Sequence, residues 1–237
     1  KRQLLDHAPR LTVDAASPYA PNRGIQYPSV QKSIVTAMTD RQTAPMGRPR
    51  EFDADVALQR AMELFWEQGY EGASLTELTA AMGISKTSMY AAFGNKESLF
   101  AKALQRYVEG PASYGLKALE KPTAKEVAVA ILKGAIKITT NARTPAGCLT
   151  VQGSLVAGGT AHGVRDMLAT WRNQSVSLLT DRFQRAIDEG DLPRDADAAV
   201  LARYIITVSN GIAVQAASGA SRTDLTHVAN AALGNWP

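Results

Sequence analysis

Three features of the chain predict an all-α fold. From Asp53 onward, apolar residues recur at the 3.6-residue period of a helix. Small hydroxyl or amide residues stand ahead of these runs, with Gly and Pro behind them, as helix starts and stops do. The alternating β-branched runs that would mark strands are scarce. With 237 residues and 45% hydrophobic content, the chain can bury one sizeable core or two small ones.

Residues 1–45 stand apart. They show no helical period and carry Pro9, Pro18, Pro21, Pro28 and Pro45, so they read as a loose tail or as sequence upstream of a start at Met38 or Met46. The first helix follows, with Ala57, Ala61, Leu64 and Phe65 on one face and Gly69 as its left-handed stop. "SLTE" is a capping box in which Ser74 and Glu77 serve each other's backbone N–H, and Leu75, Leu78, Thr79 and Met82 form the apolar side of a second, two-turn helix. Gly83 forces a tight turn. Ser85 caps a third short helix with Met89 and Phe93 inward, and Asn95 caps a fourth that runs to the stop at Gly110-Pro111. Beyond Pro111, helices are expected near 123–141, 148–157, 162–190, 196–217 and 222–234. In the 162–190 segment Val176, Leu179, Phe183 and Ile187 share a stripe, with Arg172, Arg182 and Arg185 off it. The 196–217 segment is apolar on two faces, Leu201/Ile205/Val208/Ile212 and Val200/Tyr204/Gly211/Val214, and must be covered on both. The domain boundaries that follow are 1–45, 46–110 and 111–237.

The single cysteine, Cys148, excludes an intrachain disulfide framework and fits a reducing compartment, so a cytoplasmic location is expected. Lys133 and Arg203 interrupt the longest apolar runs, and no membrane segment or signal peptide is expected. The net charge of +4 does not mark a nucleic-acid binder by itself, because residues 46–110 hold seven Lys/Arg against nine Asp/Glu. The distribution is local: between Ile84 and Lys96 there are two lysines and no acid.

Two short helices joined by a glycine turn, the second capped by a small hydroxyl residue, form a helix-turn-helix whose second helix can enter a major groove by its N-terminal end. Ser85, Lys86, Thr87 and Ser88 are short or polar enough to approach bases and phosphates, and Tyr90 can offer a phosphate its hydroxyl. Thr87 and Ser88 are the expected base readers. Lys96, at a helix N-terminus, suits a phosphate. Arg48 and Arg50 in "GRPR", extended by Pro49, are placed to reach the minor groove or flanking phosphates. This stretch holds no histidine or cysteine, and catalysis finds no base here.

Residues 47–107 resemble the DNA-binding domain of the TetR family of transcriptional regulators. The shared pattern is a helix ending in Phe-x-x-x-Gly-Tyr, a Ser/Thr, Ala-Ala-Met-Gly-Ile-Ser, Met-Tyr-x-x-Phe and Lys-Glu-x-Leu. The resemblance implies an all-helical homodimer of nine or so helices, with a C-terminal ligand-binding and dimerisation domain. It implies double-stranded operator DNA as partner, and a small-molecule effector that releases it. It carries DNA contacts onto Thr76, Ser85, Lys86, Thr87, Ser88, Tyr90 and Lys96. Where many members have an aromatic and a histidine after the tyrosine, this chain has Ala91 and Ala92, so fewer base contacts are expected from that end.

An apolar effector cavity is expected within 111–190, bordered by some of Leu149, Leu155, Met167, Leu168, Trp171 and Phe183. The dimer interface is expected on the stripes of 174–189 and 197–216, with Val208 and Ile212 as its test positions. Cys148 offers an alternative as a thiol sensor of oxidants or electrophiles, in a Gly-Cys-Leu that recurs in some TetR relatives. A small all-α enzyme using Cys148 is the rival reading, and a nucleoid-type architectural binder a third. "GGTAHG" at 158–163 lacks the preceding strand and the Lys-Ser/Thr of a phosphate loop. His7, His162 and His227 lack metal-ligand spacing, and neither a metal nor a cofactor is expected.

Overall fold

The computed structural model describes residues 52–155, 162–234 and 236–237, and of residues 153–155 the backbone alone. The tail 1–45, the Arg48/Arg50 arm and most of the 158–163 connection lie outside the described residues. Ten helices follow one another: α1 Ala54–Gly72, α2 Leu75–Met82, α3 Lys86–Phe93, α4 Lys96–Glu109, α5 Tyr114–Ala118, α6 Ala124–Thr139, α7 Leu149–Leu155, α8 His162–Asp188, α9 Ala198–Ala217 and α10 Arg222–Gly234. No strand occurs among the described residues.

The helix starts are where side chains can satisfy free backbone N–H groups. Asp53 caps α1, and the Ser74–Glu77 box opens α2. Ser85 accepts from Ser88 N–H at 3.0 Å and Asn95 from Ser98 N–H at 2.8 Å. A second capping box, Thr123 with Glu126, opens α6. Gly83 sits in the left-handed region (φ 68, ψ 32), which lets α2 turn sharply into α3. Gly69 departs from the expected left-handed stop. Its φ is positive at 73 but its ψ is 178, so it kinks α1, and one more turn runs to Gly72.

Two hydrophobic cores form. The first joins α1 to α4 around Phe65, Trp66, Leu78, Met89, Leu99, Phe100 and Tyr107, and also takes in Leu149 of α7 with Val164 and Leu168 of α8. Its aromatic rings meet edge to face: Phe65 and Phe100 at 5.0 Å and 87°, Trp66 and Tyr107 at 4.8 Å and 80°. Such pairs add about 0.5–1.5 kcal/mol each beyond area burial. The second core is built by α6, α8, α9 and α10 around Leu132, Leu179, Phe183, Ile205 and Ile212.

One arginine off the apolar stripe of α8 is buried. Arg182 is only 4% exposed, although the periodicity places it beside the apolar stripe. Its guanidinium donates to the carbonyls of Leu119 (3.2 Å), Lys121 (2.8 Å) and Pro122 (2.9 Å), and so closes the turn between α5 and α6. Nη1 has no hydrogen-bond partner among the described residues. Three carbonyls use the group as their donor, so Arg182→Met should cost about 2–3 kcal/mol in denaturant unfolding. A variant as stable as wild type would contradict this role.

The α2 capping box gives a pH signature. Hydrogen bonds from the Ser74 hydroxyl, then from its backbone N–H, hold the Glu77 carboxyl below its ordinary value of 4.5. A carboxyl lowered in the folded state adds stability above its unfolded pKa, and that contribution is lost as pH falls through the folded pKa. The melting-temperature gap between wild type and Ser74→Ala should therefore be widest at neutral pH and narrow below about pH 4.5. A gap independent of pH would show that the box does not stabilise through the Glu77 charge.

Candidate nucleic-acid interface

The recognition element is α3, eight residues anchored by Met89 and Phe93, which are 0% and 5% exposed. Both of its ends are fixed. At the start, Ser85 caps the backbone, and its hydroxyl oxygen lies 2.9 Å from that of Ser88. At the other end Lys102 of α4 donates to the Ala92 carbonyl at 3.4 Å, its ammonium 5.5 Å from the Phe93 ring centroid. Lys102 is absent from the sequence-level candidates. It lies ten residues beyond Ala92, and only the return of α4 alongside α3 brings it there.

With Met89 and Phe93 inward, Lys86, Thr87, Tyr90 and Ala91 are exposed. Ser88 is half-buried, and its hydroxyl lies beside that of Ser85. Thr76 is exposed in the first turn of α2.

Lys96 opens α4, but its ammonium is not free. It lies 4.5 Å from the Tyr70 ring centroid, a cation–π distance. Burial pulls its pKa down, while the carboxylates of Glu71 and Glu77 push it up. Lys86 is exposed, and no ion pair holds it among the described residues. Of the two lysines, Lys86 is the better placed to meet a phosphate.

Of the expected effector residues, several gather at the first core and Phe183 lies in the second. Leu149 and Leu168 are fully buried in the first core, and Cys148 and Met167 pack against it. Phe183 lies in the second core, 5.3 Å from Trp236, and Trp171 is half-buried. Leu155 is described by its backbone only. The separation has a physical cause: Leu168 and Phe183 stand fifteen positions apart on one helix, a distance of about 22 Å.

Cys148 precedes α7. Its sulfur lies 3.3 Å from the Tyr107 hydroxyl, which donates to it, and 3.0 Å from the Thr150 hydroxyl. Burial, and then the neighbouring sulfur, push the Tyr107 phenol well up, so it stays protonated near neutral pH and is no general base. The Tyr114 phenol is raised by the same two causes.

Comparison with known proteins bears on this geometry. Residues 57–103 match the family described as bacterial regulatory proteins, tetR family, and residues 128–232 the tetracyclin repressor-like C-terminal domain. The HTH-type transcriptional repressor ComR of Escherichia coli (strain K12) is 32% identical over 81% of this chain and 92% of its own. The HTH-type transcriptional regulator YezE of Bacillus subtilis (strain 168) is 33% identical over 68% and 84%. Among solved structures, a cysteine mutant of the regulator CifR complexed with 26bp double-strand operator DNA is 43% identical. It covers 80% of this chain and 100% of its own, with a TM-score of 0.77.

Replacing Lys86 by Ala should weaken binding to a cognate duplex and lower the salt slope by roughly one unit, as loss of one phosphate contact requires. An unchanged slope would remove Lys86 from the phosphate contacts.

Proposed function

The chain belongs to the TetR family of bacterial transcriptional regulators, and on that premise we propose that it binds a palindromic operator as a homodimer and leaves it when a small molecule enters its C-terminal domain. It is a DNA-binding regulator of the repressor type and not an enzyme, as its relatives are. What we propose concerns the residues, the assembly and the release.

Operator binding is assigned to Thr76, Ser85, Lys86, Thr87, Tyr90 and Lys96, with Arg48 and Arg50 on the preceding arm. The support is the exposed face of α3 and the capped turn that presents it. A chromosomal partner implies action in the cytoplasm. Residues 46–110 carry the DNA-binding function and 111–237 the effector and dimer functions in this reading.

The observation that carries the homodimer is the bare face of α9. Of its two apolar faces, one lies in the second core, where Ile205 and Ile212 are 0% and 1% exposed. Ile212 is therefore a core position, not the interface position expected for it. The other face leaves Val200 62%, Tyr204 43% and Val214 40% exposed. By length and composition α9 could cross a membrane, with only 28% of its most apolar stretch buried. In a DNA-binding regulator, a second copy of the same face is the occupant that would cover it.

Release is assigned to α7 and α8. The first core contains Leu149, Val164 and Leu168 beside the DNA-binding helices, so a molecule that shifts α7 or α8 alters the packing that holds α1 and α4. A Cβ on Gly163 would also collide with the Glu97 carboxylate of α4, so the two helices touch at the start of α8.

The test uses the full chain and the DNA upstream of its own gene, with gel shift and sedimentation. Tyr204→Asp or Val214→Asp should sediment as monomers and lose roughly 100-fold or more in operator affinity, since two half-sites would no longer be engaged together. Variants that stay dimeric and bind normally would move the interface off α9.

A further inference from the structure

We propose that α3 reads thymine through methyl groups, the Ala91 Cβ with the Thr87 Cγ2 beside it contacting thymine C5-methyls on the floor of the major groove. The inference rests on operator binding by α3 and adds the chemistry that it recognises.

The helix geometry places Ala91 at the crown of the exposed face. Met89 and Phe93 are buried, and Ala91 lies two residues from each, so it points about 160° away from both. Thr87 is one turn before Ala91 and about 40° from it around the axis. Both are exposed. Lys86 and Tyr90 leave the helix on one flank, between the crown and the buried side, where a groove wall and its phosphates would lie. On the other flank Ser88 is occupied with Ser85.

The residue closest to the base edges is therefore an alanine, which has no hydrogen-bonding group. Among the four bases only thymine presents an apolar group in the major groove, its C5-methyl, and a methyl at the protein surface meets it without leaving a polar atom unpaired. Thr87 adds a second methyl at helical spacing, together with a hydroxyl. The small side chains Ala91, Ala92 and Gly94 also let this end of α3 approach closely. Lys102 holds the Ala92 carbonyl, so the position of the crown is fixed from within the protein.

The experiment selects operator duplexes from a randomised pool with the full chain, then replaces each thymine of a half-site singly by uracil. That change deletes the C5-methyl and keeps every hydrogen-bonding atom of the groove. One or two positions per half-site should lose affinity by about fourfold per methyl removed, the others nothing. Ala91→Gly should lose thymine-over-uracil discrimination at one of those positions, and Thr87→Ser, which keeps its hydroxyl, at the neighbouring one. Thermal melts check that α3 remains folded, and Thr87→Ser carries the test alone if glycine loosens the helix. Uniform tolerance of uracil by wild type, or discrimination that survives in Thr87→Ser and in folded Ala91→Gly, overturns the proposal. Failure to select any duplex overturns operator binding by this chain, and the proposal with it.

Discussion

A single hydrogen bond in the interior, from the Trp66 indole N–H to the Gly147 carbonyl at 3.0 Å, ties the turn ahead of α7 to the DNA-binding helices. Trp66 is fully buried, so this donor cannot turn to water, and leaving it unpaired would cost about 1–3 kcal/mol. The residues around it follow from that constraint. Tyr107 packs edge to face on Trp66 and passes its own hydroxyl to the next residue of the turn, Cys148. Leu149 then enters the first core directly. A residue pair 81 positions apart thus fixes where α7 begins.

The start of α8 is held in the same core, and its far end in the other. Val164 and Leu168 pack with the DNA-binding helices, whereas Leu179, Phe183 and Ala186 pack with α6, α9 and α10. At 27 residues, α8 spans about 40 Å and acts as a strut between them. Close-packed cores do not deform smoothly, so a displacement at one end of such a strut is passed on rather than absorbed. The same arrangement explains why Leu168 and Phe183, two candidate cavity residues on one helix, lie in different cores.

Local signals were legible in the chain, and long-range ones were not. The Ser74–Glu77 box, the Ser85 and Asn95 caps and the apolar periods of α2 to α4 act within one turn, and the structure has each of them. The limits of α8, α9 and α10 were also within reach, because period and punctuation agree there. The short α5 was missed: Ser113 makes no side-chain cap, and five residues are too few to show a period. The burial of Arg182 was not legible, because a charge off the apolar stripe has no reason to be buried until the turn between α5 and α6 presents it with three carbonyls. The inward pair Met89/Phe93 was readable. The same two residues set Ala91 opposite both, on the exposed face.

The recognition helix shows why rigidity has to come from outside it. With eight residues and two buried side chains, α3 is too short to be stable alone. Ser85 holds its first turn and Lys102 its last carbonyl, while Met89 and Phe93 set its rotation. Short side chains at its crown can contact a base only if the backbone is brought within a few ångströms and kept there. A helix of long flexible readers could tolerate loose support, but one ending in Ala91 and Ala92 cannot. The placement of this surface therefore depends on α4 as much as on α3 itself. Because α4 also contributes Phe100 and Tyr107 to the core that α7 and α8 enter, the support of α3 and the packing of α7 and α8 share one helix.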